Sequence, residues 1–160
     1  MSSSAELRIL LDSTYILPIV GVEVEGVERA LVALGRLRRE RKARFYYTQF
    51  NILEILGKIA RLRYDRGVVA AGLSAIEEEF ELASPTVEGY IKALDLRGRG
   101  HRDLIDLLLY ATALTRGLVL LTRDTALIEF LETLGEETSA VMREEEFLER
   151  YGTRARSPSR

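Results

Sequence analysis

Four carboxylates sit in sequence contexts that call for chemistry. Asp12 ends the short apolar run Ile9-Leu10-Leu11, and Asp124 ends a second run that begins at Leu118 and passes through Thr122 and Arg123. Glu54 is enclosed by Ile52-Leu53 and Ile55-Leu56, and Asp106 by Leu104-Ile105 and Leu107-Leu108-Leu109. A carboxylate buried in an apolar helix without a partner is costly, so it must be paired, protonated or bound to a cation. Brought together, such acids raise one another's pKa and are stable as anions only around a hard cation. With no cysteine and a single histidine in the chain, oxygen-only ligation points to Mg²⁺ or Mn²⁺ rather than Zn²⁺. An ion of that kind lowers the pKa of bound water and stabilises charge developing on a phosphate. The expectation is phosphodiester hydrolysis with Asp12, Asp106 and Asp124 as metal ligands. Glu54 is then a fourth ligand or the base that orients water.

Each acid also has a plainer explanation. Asp12 and Asp124 stand where helix N-caps stand, a position aspartate favours. Glu54 and Asp106 could each lie on a narrow solvent-facing stripe. Ser13 and Thr122 are placed to hold carboxylates by hydrogen bonds, or to serve as ordinary turn and capping residues. Asp103, three residues before Asp106 and on nearly the same face, caps its helix or joins the acids.

The elements that must position these residues alternate between strand-like and helix-like patterns. A short apolar run bounded by turn formers reads as a buried parallel strand, which places strands just before Asp12 and Asp124. A β-prone stretch spans 44–48, and a weak strand lies near 140–142. Helical spacing is expected over 27–41, 49–64, 67–83, 86–96 and 103–116, then to about 134, with a short acidic helix to Tyr151. Pro18 and Gly21 shorten the helix after Asp12, Ser84 or Thr86 caps the helix at 86, and Gly117 closes the helix before it. Residues 97–102 form a loop. The pattern predicts an α/β three-layer sandwich with a central parallel twisted sheet of about 4–5 strands. In such sheets ligands bind beyond the carboxyl ends of the strands, so Asp12 and Asp124 are expected on one rim.

A chain of 160 residues fits one domain with a sizeable core, expected over 1–151 with a disordered basic tail at 152–160. The net charge of −2 gives no global attraction to nucleic acid, so affinity for a polyanion must come from local patches. Two patches are candidates. Residues 36–44 carry six cations against one acid, with Arg39 and Arg41 at the centre, and Arg97, Arg99 and Arg102 decorate the loop before Asp106. Cations at a helix C-terminus are also favourable without any ligand. His101 reads as a loop residue rather than a catalytic one. The start of the chain lacks a signal-peptide layout, no apolar run approaches the roughly 20 residues of a membrane span, and the absence of cysteine fits a cytoplasmic protein. Gln49 and Asn51 are the only side-chain amides, while charged residues make up 30%, a composition that points to a thermophile.

The ordered set Leu10-Leu11-Asp12-Ser13-Thr14, Asn51–Leu56 with Glu54, Asp106–Leu114 with Ala111-Thr112-Ala113, and Leu120–Asp124 resembles the PIN (PilT N-terminus) domain family of metal-dependent ribonucleases, over roughly Leu7 to Met142. The resemblance implies Asp12, Glu54, Asp106 and Asp124 as the catalytic acids, with Mg²⁺ or Mn²⁺ as cofactor and RNA, single-stranded or structured, as substrate of an endoribonuclease. A VapC-like protein of this family, the toxin of a toxin-antitoxin pair, implies a small antitoxin protein as partner and a homodimer formed through helices. Proteins of that branch commonly carry an aromatic three residues after the last Asp; here that residue is Leu127, and the nearest aromatic is Phe130. A non-catalytic PIN-like RNA-binding or assembly module is the alternative. A receiver-type signalling domain would need an early pair of adjacent acids and a late strand-end lysine, and neither is evident.

Overall fold

The computed structural model describes residues 6–152. Its centre is a sheet of five parallel strands in the order β3-β2-β1-β4-β5: β1 (Leu7–Leu11), β2 (Ala43–Tyr47), β3 (Glu81–Leu82), β4 (Val119–Thr122) and β5 (Val141–Arg143). Side chains alternate across a strand, and here both faces are covered. Ile9 and Leu11 enter one core with Tyr15, Leu34, Phe45 and Phe147, whereas Leu10 enters a second core with Tyr46, Leu107 and Leu120. Burial on both faces is why β1 and β4 read as unbroken apolar runs.

The first core is covered by α1 (Ser13–Ile16), a 3₁₀ turn (Leu17–Val20), α2 (Glu28–Arg39), α3 (Gln49–Ile59), α4 (Arg66–Glu79) and α8 (Glu144–Tyr151). The second is covered by α5 (Val87–Gly98), α6 (Leu104–Arg116) and α7 (Thr125–Thr133). The result is the α/β three-layer arrangement expected from the alternating pattern. Thr86 caps α5 by accepting from Gly89 N, and Gly117 ends α6 in the left-handed conformation at φ +67°, which glycine adopts without a steric penalty. Gly72 lets α4 lie directly on the 3₁₀ turn, where a Cβ would fall 2.3 Å from the Ile19 carbonyl oxygen.

The boundaries differ from the sequence expectation by two residues or more at four points, one being that the helix expected over 27–41 ends at Arg39. The helix expected over 67–83 stops at Glu79, and Glu81–Leu82 pair with Tyr46 and Tyr47 as the edge strand β3. Ala83 N then donates to Tyr47 O at 2.8 Å, so an edge backbone hydrogen bond wins over helix continuation. The helix expected to reach 64 ends at Ile59, and the loop expected from 97 starts only after Gly98. The basic tail expected over 152–160 lies, from residue 153 onward, outside the described residues. Among the described residues no helix is long and apolar enough to cross a membrane.

Candidate active site

The sheet brings the first pair of acids together. Leu11 and Leu121 are in register as the last residues of the β1–β4 ladder, and Asp12 N donates to Leu121 O at 3.2 Å, so both chains leave the sheet at the same carboxyl rim. Asp12 Oδ1 accepts from Ser13 N at 2.7 Å and its Oδ2 accepts from Thr122 Oγ1 at 2.9 Å. Thr122 Oγ1 in turn accepts from Asp124 N at 2.9 Å. Asp124 caps α7, accepting from Ala126 N at 2.9 Å and Leu127 N at 3.4 Å. For Asp12 and Asp124 the capping role and membership of the acid group therefore coexist.

Glu54 reaches this rim on α3. Thr48 and Asn51 form a reciprocal capping box at the start of the helix, satisfying two otherwise orphaned donors. Asn51 is fully buried, and its Nδ2 donates to Leu11 O at 3.2 Å and Ser13 Oγ at 3.0 Å, which ties α3 to the end of β1. Glu54 follows three residues later, half-buried, and its charge acts on Asp12. The apolar surround of Glu54 in sequence does not make α3 a buried helix: Leu53 and Leu56 are exposed.

Asp106 sits in the first turn of α6, whose N-cap is Asp103. Asp103 Oδ1 accepts from Ile105 N at 3.0 Å and from Asp106 N at 3.2 Å. Burial holds the Asp106 carboxyl well above the usual carboxylate range, and a hydrogen bond with Asp124 and the charges of Asp103, Asp124 and Asp12 push the same way. Asp12 is likewise pushed up to about 6, chiefly by burial with Glu54 and Asp124 adding to it, against the lowering effect of the bonds from Thr122 and Ser13. Residues from four separate elements thus act on one another, as like charges sharing a site do.

The remaining candidates divide. Thr122 and the Ser13 backbone hold Asp12, while the Ser13 hydroxyl is engaged with Asn51. Arg97 is exposed in the last turn of α5, not in the loop, and Arg99 and Arg102 are exposed on the connection into α6, with Arg99 3.8 Å from Glu136. Arg39 and Arg41 lie where α2 feeds the amino end of β2, the rim opposite the acids, because the strands all run the same way. Arg41 takes the left-handed φ of +55° that closes this turn. His101 is a loop residue, as expected, but a packed one: its ring lies 5.0 Å from that of Phe130, and Nε2 is 3.5 Å from Asp106 Oδ2. The sequence reading missed the positioning role of Asn51, whose only signal was its rarity as an amide. It also missed Glu144, which accepts from Tyr15 Oη at 3.0 Å and lies 3.5 Å from Arg123 Nε.

As a donor set the acids fit the divalent ion that the resemblance implies. They offer oxygen alone, and burial, with the neighbouring acids adding to it, raises Asp12 and Asp106 as in sites that lack a counter-charge. Among the described residues no three acidic or histidine side chains converge closely enough to hold an ion as they stand.

The profile of the PIN domain family matches residues 9–132. The chain belongs to the PIN domain family. Among solved structures, this PIN protein is similar to VapBC2 from Rickettsia felis, bound to a DNA fragment from its promoter, at TM-score 0.61 and 12% identity over 86% of this chain and 98% of that one. It is similar to PAE2754 from Pyrobaculum aerophilum at TM-score 0.57 and 20% identity, covering 91% and 89% of the two chains. A third neighbour is FitAcB from Neisseria gonorrhoeae, at TM-score 0.53 and 19% identity over 78% and 93%. At these identities the likeness is one of fold. No curated protein sequence matches the chain.

Proposed function

We propose that this PIN domain protein is a Mg²⁺- or Mn²⁺-dependent endoribonuclease, the toxin of a toxin-antitoxin pair. The observation that carries the reading is geometric: Asp12 and Asp124 leave neighbouring strands at one rim joined through Thr122 Oγ1, and Glu54 on α3 and Asp106 on α6 lie close enough for their charges to act on these acids. Asp12, Asp106 and Asp124 would hold the ion, with Glu54 as a further ligand or the base that orients water. When bound, the ion supplies a more acidic water and a positive charge beside the scissile phosphate. Thr122 and the Ser13 N–H fix both oxygens of Asp12, and Asp103 fixes the first turn of α6 beneath Asp106. Arg97 in the last turn of α5 and Arg102 just before α6 flank the connection into α6, where cations would grip phosphates without reading sequence.

Two surfaces support the partner part of the reading. Leu53 and Leu56 on α3 and Tyr90, Ile91 and Leu94 on α5 are exposed, and Phe50 packs edge-on against Tyr90, joining the two helices into one apolar face. A second copy of the chain is the proposed occupant of that face. An apolar groove lined by Ile19, Leu31, Leu34, Phe45 and Phe80 is the proposed seat of a small antitoxin, by analogy with the VapBC and FitAcB neighbours. The proposed location is the cytoplasm.

A non-catalytic RNA-binding or assembly module is the second reading, favoured by the lack of a converged ion site among the described residues. Incubation with end-labelled single-stranded RNA and Mn²⁺ or Mg²⁺ separates the two. Cleavage that EDTA abolishes and that Asp106→Asn and Asp12→Asn each eliminate is the expected result. RNA binding without cleavage by the wild-type protein, or cleavage that survives both substitutions at full rate, would overturn the nuclease reading.

A further inference from the structure

We propose that His101 is a positioning residue for Asp106: its imidazole, seated on Phe130, donates from Nε2 to the Asp106 carboxylate once that group is ionised and sets the direction in which the carboxylate faces the ion. The inference rests on the nuclease reading and extends it to a residue outside the four acids. Three observations carry it. Nε2 is 3.5 Å from Asp106 Oδ2, just beyond hydrogen-bond length, in a region where the His101 and Asp106 side chains are only 11% and 17% exposed. The same nitrogen is buried and has no hydrogen-bond partner, an arrangement that proteins avoid unless the group has a use. The segment that carries it is held at both ends.

On one side Arg99 N donates to Asp95 O and Leu96 O, and Gly100 N donates to Arg97 O, closing α5. Gly100 then takes φ +121°, a conformation open to glycine and strained for other residues, and this turn delivers His101 to the rim. On the other side Asp103 caps α6. The ring is fixed by the Phe130 face at 5.0 Å between centroids and a tilt of 42°. Among the described residues the other side chains acting on Asp106 are Asp124, Asp103 and Asp12, all carboxyls. None of these can donate once ionised, so the imidazole N–H is the group suited to orient an ionised Asp106. An outer partner that fixes a ligand's rotamer raises ion affinity without touching the ion.

His101 is the chain's single histidine, so its ring nitrogens can be read without ambiguity in a long-range ¹H–¹⁵N spectrum of the Mg²⁺-saturated protein, in which Asp106 is ionised. The Nε2–H tautomer is expected, with a signal that moves in Asp106→Ala. Mg²⁺ affinity by calorimetry should fall on the order of 10-fold or more in His101→Phe, which keeps the packing on Phe130 and loses the donor. His101→Gln, which keeps a donor, should recover most of it, while the melting temperature of both variants stays near wild type. An Nδ1–H tautomer, or wild-type Mg²⁺ affinity in His101→Phe, would overturn the positioning role while leaving the nuclease reading intact. A wild-type protein that neither binds Mg²⁺ nor cleaves RNA would overturn both.

Discussion

Thr122 Oγ1 lies 2.9 Å from Asp12 Oδ2 and receives the Asp124 N–H at the same distance, so one hydroxyl joins two strand ends 110 residues apart in sequence. Its single proton goes to Asp12 and its lone pair to Asp124 N, a use that leaves no rotational freedom. Thr122→Val keeps the shape and removes both bonds. Ion affinity in that variant is expected to fall on the order of 10–100-fold, as when the outer partner of a metal ligand is removed, whereas Thr122→Ser should stay close to wild type. Calorimetric titration with Mn²⁺ checks this, and equal affinity in Thr122→Val would show that the acids hold their places unaided.

The raised carboxyls predict an inverted pH dependence for the metal-free protein. The folded state prefers the protonated forms of Asp12, with its pKa of about 6, and of Asp106, raised further in the same direction. Their contribution to stability is therefore full below the ordinary carboxylate pKa and is lost as pH rises through about 6 and beyond. Asp106→Asn fixes the neutral form at every pH. In EDTA its melting temperature should match wild type near pH 4 and exceed it by several degrees at pH 8. Saturating Mn²⁺ at pH 8 should raise the wild type alone. A gap between the two proteins that does not change with pH would show that Asp106 is an ordinary surface acid.

What the sequence discloses and what it hides follow from range. Asp12 and Asp124 were legible because an apolar run ending on an acid is a local pattern, and the parallel sheet then brings the two strand ends side by side. Asp106 was legible from its apolar helix, and Asp103 proves to cap that helix through Ile105 N and Asp106 N while its charge also acts on Asp106. Glu54 misled in one respect, since apolar neighbours on every side suggested burial while Leu53 and Leu56 face outward. The edge strand at Glu81–Leu82 has two exposed residues, too few to show any period. Arg39 and Arg41 looked like phosphate ligands by charge alone, and only strand direction shows them on the far rim. The reach of Asn51 to Leu11 and Ser13 spans forty residues of sequence and leaves no local trace.

Close packing of α4 on the 3₁₀ turn makes Gly72 a sensitive position. A methyl group there would meet Ile19 O at 2.3 Å and Val20 Cα at 2.8 Å, both backbone atoms that cannot swing aside. Gly72→Ala is expected to destabilise the fold by about 1–3 kcal/mol through overpacking. Gly57, inside α3, has nothing within 4 Å of the same added atom, so Gly57→Ala should stabilise by roughly 0.5–1 kcal/mol through the loss of backbone freedom in the unfolded chain. Thermal denaturation of the two variants side by side reads the sign directly. A neutral Gly72→Ala would mean that α4 can slide off the turn without cost.

The two basic patches make opposite predictions for RNA binding. Arg97 and Arg102 are exposed on either side of the turn that leads into α6 and Asp106, while Arg39 and Arg41 lie beyond the amino end of β2. Arg99 is drawn toward Glu136, which Lys92 also pairs with, so its charge is already partly answered. With Asp106→Asn as background to prevent cleavage, adding Arg97→Gln and Arg102→Gln should weaken single-stranded RNA binding several-fold at low salt. The slope of log affinity against log salt should flatten by about 0.7 for each phosphate that is no longer neutralised. Arg39→Gln with Arg41→Gln should leave both affinity and slope near the background protein, because a strand threading the acid rim does not pass the opposite edge of the sheet. Fluorescence anisotropy across a salt series separates the cases. If the Arg39 and Arg41 pair carries the salt dependence instead, the RNA path runs around the sheet and the acid rim meets at most a short segment of it.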